Sequence, residues 1–194
     1  DNEDLFSVGY NYYFHPITSY SVYEKLKQKI EQVYLQTGEK SIFVSYDQGT
    51  SFVSIFLSNY SRLEWVNKYI DSVIFIEPTF AGLSTFPQLL TQTIPPFIST
   101  KEFKKSIMRM PGLHIRMPNY VIFENFSLSN NVSNKIDHFN ASHAFEYLKE
   151  LGKVDSESEL IFKSEIEKFL KVPVPEPPIP SLIIYNDKKS DNIN

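Results

Sequence analysis

Ser41-Ile42-Phe43-Val44-Ser45-Tyr46-Asp47-Gln48-Gly49-Thr50-Ser51-Phe52-Val53 decides how the rest of the chain is read. Ile42, Phe43 and Val44 are apolar and β-favouring, the composition of a short buried parallel strand. Ser45, Asp47 and Gly49 then follow in the pattern small-x-Asp-x-Gly. A strand that turns sharply into a helix needs small side chains two residues before and two after its apex. Anything larger would strike the neighbouring strand or helix. This is the steric logic of the nucleophile elbow, written Gly-x-Ser-x-Gly. Ser45 and Gly49 are its small positions, and its apex falls on Asp47, where the pattern carries serine. Phe52, Ile55 and Phe56 recur at helical spacing, so Thr50 to Tyr60 is expected to be the helix that leaves the turn.

Working outward, Val22, Tyr23, Leu26, Ile30, Val33 and Tyr34 predict a helix from Ser19 to Gln36, stopped at Gly38. Its Glu24, Lys25, Lys27 and Lys29 read as a solvated face. Downstream, Leu63 to Tyr69 is a short helical piece containing Trp65, and Val73 to Ile76 is a second buried strand ended by Glu77-Pro78. Strand, helix, strand over this distance is a βαβ unit, so the two strands are expected to be parallel with a right-handed crossover. Residues 79–120 are broken by Pro87, Pro95, Pro96, Pro111 and Pro118 and carry no sustained period. They read as a cap- or lid-like insertion, with Lys101, Lys104 and Lys105 on a surface helix. Val121 to Phe123 is expected as a short strand, Ser127 to Asn134 as a polar loop, and Ser142 to Leu151 and Glu157 to Leu170 as helices. Residues 173–180 form a proline-rich connector, Ser181 to Tyr185 a third buried strand, and 186–194 a flexible tail. The expectation is a single α/β domain over 1–194, with a mostly parallel sheet and helices on both faces.

Composition narrows the partners. With 42% hydrophobic residues the chain holds a sizeable core. A net charge of −4 supplies no basic footprint for nucleic acid. The absence of cysteine excludes disulfides and thiolate metal sites. His138 and His143 do not have the company of a metal pair, and neither a metal nor a cofactor is expected. No run of apolar residues is long enough for a transmembrane helix. Asn-x-Ser/Thr sequons at Asn59, Asn125, Asn131 and Asn140 point toward a secreted or lumenal route.

Several ordered stretches carry a resemblance. Gly9-Tyr10-Asn11-Tyr12-Tyr13-Phe14-His15-Pro16 is similar to a Pro-Tyr-Asp-Trp-Arg stretch, of which the tyrosine and aromatic character remain. Tyr23 to Gly38 resembles the helix preceding a nucleophile strand. Val44-Ser45-Tyr46-Asp47-Gln48-Gly49 resembles Val-Ser-His-Ser-Met-Gly. Trp65-Val66-Asn67-Lys68-Tyr69-Ile70, followed by Ile74 to Pro78, resembles Trp-Lys-Asp-Lys-Tyr-Ile and its following strand. Fainter echoes lie at Phe139 to Gly152 and Pro178 to Tyr185. Together they resemble the lecithin:cholesterol acyltransferase family. The resemblance implies an α/β-hydrolase-like three-layer sandwich, incomplete at both ends, because the family's triad Asp and His motifs find no counterpart here. It implies lipid or acyl-chain ligands, phospholipid and sterol, with peripheral membrane contact. Tyr10, Tyr12, Tyr13 and Phe80 are then candidates for a lipid pocket.

In that family a serine attacks the acyl ester and a histidine takes its proton. Asp47 at the apex would give a mixed anhydride from an ester, a poor intermediate. The backbone N–H of Gln48 corresponds to an oxyanion donor, but a carboxylate beside it opposes a developing oxyanion. Three readings follow. The chain is a catalytically impaired member that binds lipid or a partner; or it is an active acyltransferase completed by segments outside it; or it is an Asp-nucleophile hydrolase of the epoxide or haloalkane type. Ser45 and Ser51 are the alternative nucleophiles close to the apex.

Overall fold

The computed structural model describes residues 5–83, 106, 109–124, 127–130, 137–150 and 154–186. In chain order a 3-10 turn, Pro16–Thr18, leads into α1 (Tyr20–Thr37), β1 (Ser41–Tyr46) and α2 (Gln48–Ile55), which runs on as a π-helical turn, Phe56–Tyr60. There follow α3 (Leu63–Tyr69), β2 (Ile70–Ile76), α4 (Pro111–His114), β3 (Ser127–Asn130), β4 (Asp137–Asn140) and a 3-10 turn, Ala141–His143. The last elements are α5 (Ala144–Glu150), α6 (Ser156–Ile161), a π-helical turn (Phe162–Ile166), α7 (Glu167–Leu170) and β5 (Ser181–Ile184). The chain divides into two compact units. One comprises Asp1–Val22 and Ala81–Val174, the other Tyr23–Phe80 and Pro175–Asn194.

The unit built from Tyr23–Phe80 and Pro175–Asn194 carries a parallel three-stranded sheet in the order β1-β2-β5. Its inner face presents Phe43 and Ser45 from β1 beside Val73 and Phe75 from β2, in register. Helix α1 lays Tyr23, Leu26 and Ile30 along one stripe, as its spacing predicts. The Tyr23 ring stands 4.6 Å from that of Phe52 and 5.4 Å from that of Phe56. Phe56 in turn meets Phe43 edge-on at 5.9 Å and Trp65 at 5.7 Å. Burying each such side chain stabilises the fold by about 1.5–3 kcal/mol. The polar tips of these aromatics are satisfied. The Tyr23 hydroxyl donates to the Phe52 carbonyl at 3.2 Å, and Trp65 Nε1 donates to Glu31 at 2.6 Å. The hydroxyls of Ser54 and Ser58 donate to the carbonyls of Pro175 and Glu176, pinning the start of the proline-rich stretch to α2 and the turn after it.

The strands depart from the sequence expectation on their other face. Ile42 and Val44 are more than half exposed, so β1 is covered on one face only, and β5 is exposed on both faces, Ile183 as much as Ile184. A short apolar run does not say whether one face or two is covered. Here α2 packs against β1, and α1 meets α2 through Tyr23 and Phe52.

In the unit built from Asp1–Val22 and Ala81–Val174, the core gathers Met117, Ala144, Phe145, Leu148, Phe162 and Ile166. The rings of Phe145 and Phe162 stack at 3.9 Å. Asp155 caps α6, accepting from the backbone N–H of Ser158 at 2.9 Å. Two expectations are corrected here. Val121 to Phe123 is a turn, because Asn119 Oδ1 accepts from the N–H groups of Val121 and Ile122 at 3.0 and 3.2 Å. Such Asx geometry offers the backbone an alternative to a strand ladder. The polar loop expected over Ser127 to Asn134 contains β3, paired antiparallel with β4. Ladder hydrogen bonds need no apolar side chains, so the composition concealed it. Most of the expected insertion, residues 84–105, lies outside the described residues.

Candidate functional site

Strand β1 ends at Tyr46 and α2 begins at Gln48, so the whole reversal is made by Asp47. Its backbone has φ 50° and ψ −123°, a conformation that L side chains seldom adopt. Three bonds hold it there. The Asp47 N–H donates to the Ile76 carbonyl at 3.1 Å, tying the apex to the end of β2. The Thr50 N–H donates to the Asp47 carbonyl at 3.1 Å, and the Thr50 hydroxyl donates to the same oxygen at 2.6 Å. The Asp47 side chain makes no capping hydrogen bond to α2. Its carboxylate stands at the positive end of the helix dipole, where a negative charge is favoured.

The flanking positions are packed tight. Ser45 and Gln48 are buried, and Thr50 and Ser51 are fully so. Gly49 is the second helical residue of α2. The hydroxyls of Ser45 and Ser51 are enclosed and have no hydrogen-bond partner. Neither reaches solvent, so neither is presented to a substrate as an elbow nucleophile must be.

A second strained residue, which sequence reasoning did not single out, sits beside the apex. Glu77 follows β2 directly and has φ 48°. Because Tyr46 and Ile76 are register partners, Asp47 and Glu77 occupy equivalent positions at the C-terminal ends of adjacent strands. The Glu77 N–H donates to the Ile184 carbonyl at 2.8 Å, and its carboxylate accepts from the Asn186 N–H at 3.0 Å. The signal available in the sequence was Glu77-Pro78 at a strand end. A residue before proline is held to extended conformations and out of the helical one, which marks a stop but gives no hint of positive φ.

The other candidates divide between the units. Phe80 packs edge-on against Phe75 at 4.9 Å in the sheet-bearing unit. Tyr10, Tyr12 and Tyr13 lie in the other unit. Tyr12 and Tyr13 touch at 4.8 Å and are both half exposed. The Tyr12 hydroxyl is held above its ordinary pKa by its hydrogen bond and charge interaction with Tyr13. Of the histidines, His15 stacks on Phe169 at 4.3 Å. His114 is buried near Phe162, and His143 Nδ1 pairs with Asn140 Oδ1 at 2.5 Å. All three belong to the unit of Tyr12 and Tyr13. Among the described residues no group of acidic or histidine side chains could hold a metal ion, and no helix is long and apolar enough to cross a membrane.

A parallel strand, a positive-φ apex and a helix that starts at the next residue are the elbow of an α/β fold, and the all-parallel sheet around it is an α/β arrangement. Residues 1–93 match the family model described as lecithin:cholesterol acyltransferase, an α/β-hydrolase family. That stretch holds α1, β1, the elbow and β2, and over it the chain is similar to the lecithin:cholesterol acyltransferase family. No curated protein matches it.

Proposed function

We propose that this is a lecithin:cholesterol acyltransferase-like protein of lipid metabolism in which acyl transfer is impaired, and which retains a role in binding phospholipid or sterol. One observation carries the reading: a carboxylate stands at the elbow apex, where acyl transfer needs a serine. Attack by Asp47 on an ester would form an anhydride of higher energy than the ester it came from. The Gln48 N–H, the oxyanion donor by position, would act next to a negative charge. The enclosure of Ser45 and Ser51 supports the same reading, since it withdraws the nearest replacement nucleophiles. Lipid binding rests on the family match over residues 1–93.

The experiment is release of fatty acid from radiolabelled phosphatidylcholine, with and without a sterol acceptor, against a protein-free control. No release above control is expected from the chain or from its Asp47→Ser variant. Triad members act as a unit, and a restored serine without its base recovers little. Turnover by the unaltered chain would overturn the impaired reading. A second reading is favoured by the residue itself. An aspartate at an elbow apex is a competent nucleophile toward an sp3 carbon, giving an alkyl ester that water then cleaves. Hydrolysis of an epoxide, lost in the Asp47→Asn variant, would establish that reading in place of the first.

A further inference from the structure

Asn140-Ala141-Ser142 is an Asn-x-Ser sequon at the end of β4, and the function proposed above makes no use of it. Asn140 is exposed among the described residues, with an extended backbone of φ −78° and ψ 174°. Ser142 and His143 follow in the 3-10 turn, which brings both side chains back to Asn140. The Ser142 hydroxyl donates to Asn140 Oδ1 at 2.7 Å, and His143 Nδ1 pairs with the same oxygen at 2.5 Å. Both contacts are made to the oxygen. The amide nitrogen Nδ2 donates to no group among the described residues.

We infer that Asn140 Nδ2 is the attachment atom of an N-linked oligosaccharide. The donor is a polyprenyl-diphosphate-linked oligosaccharide, transferred by an enzyme of the secretory route. Nδ2 forms a bond to the anomeric carbon, the bond from that carbon to the diphosphate oxygen breaks, and the lipid diphosphate leaves. The Nδ2 proton passes to a base of the transferase. The hydroxyl two residues on suits this chemistry, because a donor to Oδ1 draws electron density from the amide nitrogen and makes its N–H easier to deprotonate. That contact spans only two residues, so the acceptor segment can make it before the rest of the fold is complete. In the folded chain a substituted amide keeps its Oδ1, so the glycan is carried without breaking either contact. Asn59-Tyr60-Ser61 has the same sequence pattern and lacks this arrangement. Asn59 lies inside the π-helical turn Phe56–Tyr60, where residues two apart do not face each other. The Ser61 hydroxyl is enclosed. Asn125 and Asn131 lie outside the described residues.

The test uses the protein isolated from the cells that express it. Peptide-N-glycosidase in heavy-oxygen water converts an occupied asparagine to aspartate bearing the heavy atom, and tandem mass spectrometry reads its position. The label is expected at 140. On gels, Asn140→Gln and Ser142→Ala should each remove one step of the glycosidase-sensitive mobility shift, while Ser142→Thr and Asn59→Gln should leave that step in place. Peptides in which Asn140 is never labelled would overturn the inference. So would a shift from which neither Asn140→Gln nor Ser142→Ala removes a step. If a variant fails to fold, the labelled peptide from the unaltered protein still decides.

Discussion

Replacing Asp47 by glycine and, separately, by alanine isolates the strain at the elbow. Both substitutions remove the carboxylate, so the difference between them contains neither the helix-dipole contribution nor any contact of the side chain. Both keep the hydrogen bonds that hold the apex, since those run through its backbone N–H and carbonyl to Ile76 and Thr50. What differs is the cost of φ 50°, ψ −123°. For a residue with a Cβ, such a conformation costs on the order of 1–3 kcal/mol. Glycine escapes that cost but loses about 0.4–1 kcal/mol through the greater freedom of its unfolded chain. The Asp47→Gly variant is therefore expected to be more stable than Asp47→Ala by about 1 kcal/mol. Urea denaturation at pH 7, followed by circular dichroism and read as the shift in midpoint at constant slope, measures it. An Asp47→Ala variant equal to or more stable than Asp47→Gly would refute the strained apex and, with it, the elbow as the frame of the site.

Other perturbations probe the frame around it. Gly112 lies against the first aromatic stretch: a Cβ there would overlap the Tyr12 carbonyl oxygen and stand 2.6 Å from that of Phe14. Gly112→Ala should therefore cost about 1–3 kcal/mol by over-packing, seen as a lower thermal midpoint. Asn119 is buried, accepts from Val121 and Ile122 and donates to the Val172 carbonyl at 2.9 Å. Asn119→Ala leaves those groups unpaired and should cost about 1–3 kcal/mol in denaturant titration. Burial, with the nearby Lys168 ammonium, lowers the His15 pKa to about 4 from 6.5. The folded state then binds fewer protons than the unfolded one between those values, so the stability His15 contributes is full above pH 6.5 and is lost as pH falls to 4. The wild type should lose on the order of 3 kcal/mol more than His15→Asn across that window; parallel curves would show that His15 protonates freely in the fold.

What could be read in advance followed from local periodicity. Helix α1 was legible because Tyr23, Leu26 and Ile30 fall on one stripe and all three are buried. The parallel pairing of β1 with β2 was legible because two apolar runs flank a helix with too little chain for any other route. The turn at Asp47 was legible because Ser45 and Gly49 bracket it. The remainder depended on tertiary facts. Whether Val44 and Leu182 meet a helix or water is not encoded in their hydrophobicity. The turn at Asn119 is set by one side-chain oxygen that outcompetes a β-favouring run. The positive φ of Glu77 arises from bonds to Ile184 and Asn186, more than a hundred residues away. The burial of Ser51 became visible only with α2 packed against the sheet. The exposure of Tyr12 and Tyr13 was hidden by a sequence that reads equally well as a packed aromatic loop.

The elbow pattern carries serine at the position that is Asp47 here, and the hydrogen bonds that fix the turn run through the Asp47 backbone. The hydrogen bonds from Asp47 to Ile76 and from Thr50 to Asp47 fix the apex through the Asp47 backbone, with the Thr50 hydroxyl as one donor. The packing that presses the turn into place comes from Ser45, Gln48, Thr50 and Ser51, all of them buried. Fold and chemistry therefore rest on different atoms. A substitution at the apex can remove acyl transfer while leaving β1, α2 and their partners where they were. The reverse also holds, since changing Thr50 or Ser45 would loosen the turn without touching the carboxylate. The backbone strain at the apex is then a cost inherited from the geometry of the turn, and it is set by the conformation that the strand-to-helix reversal demands.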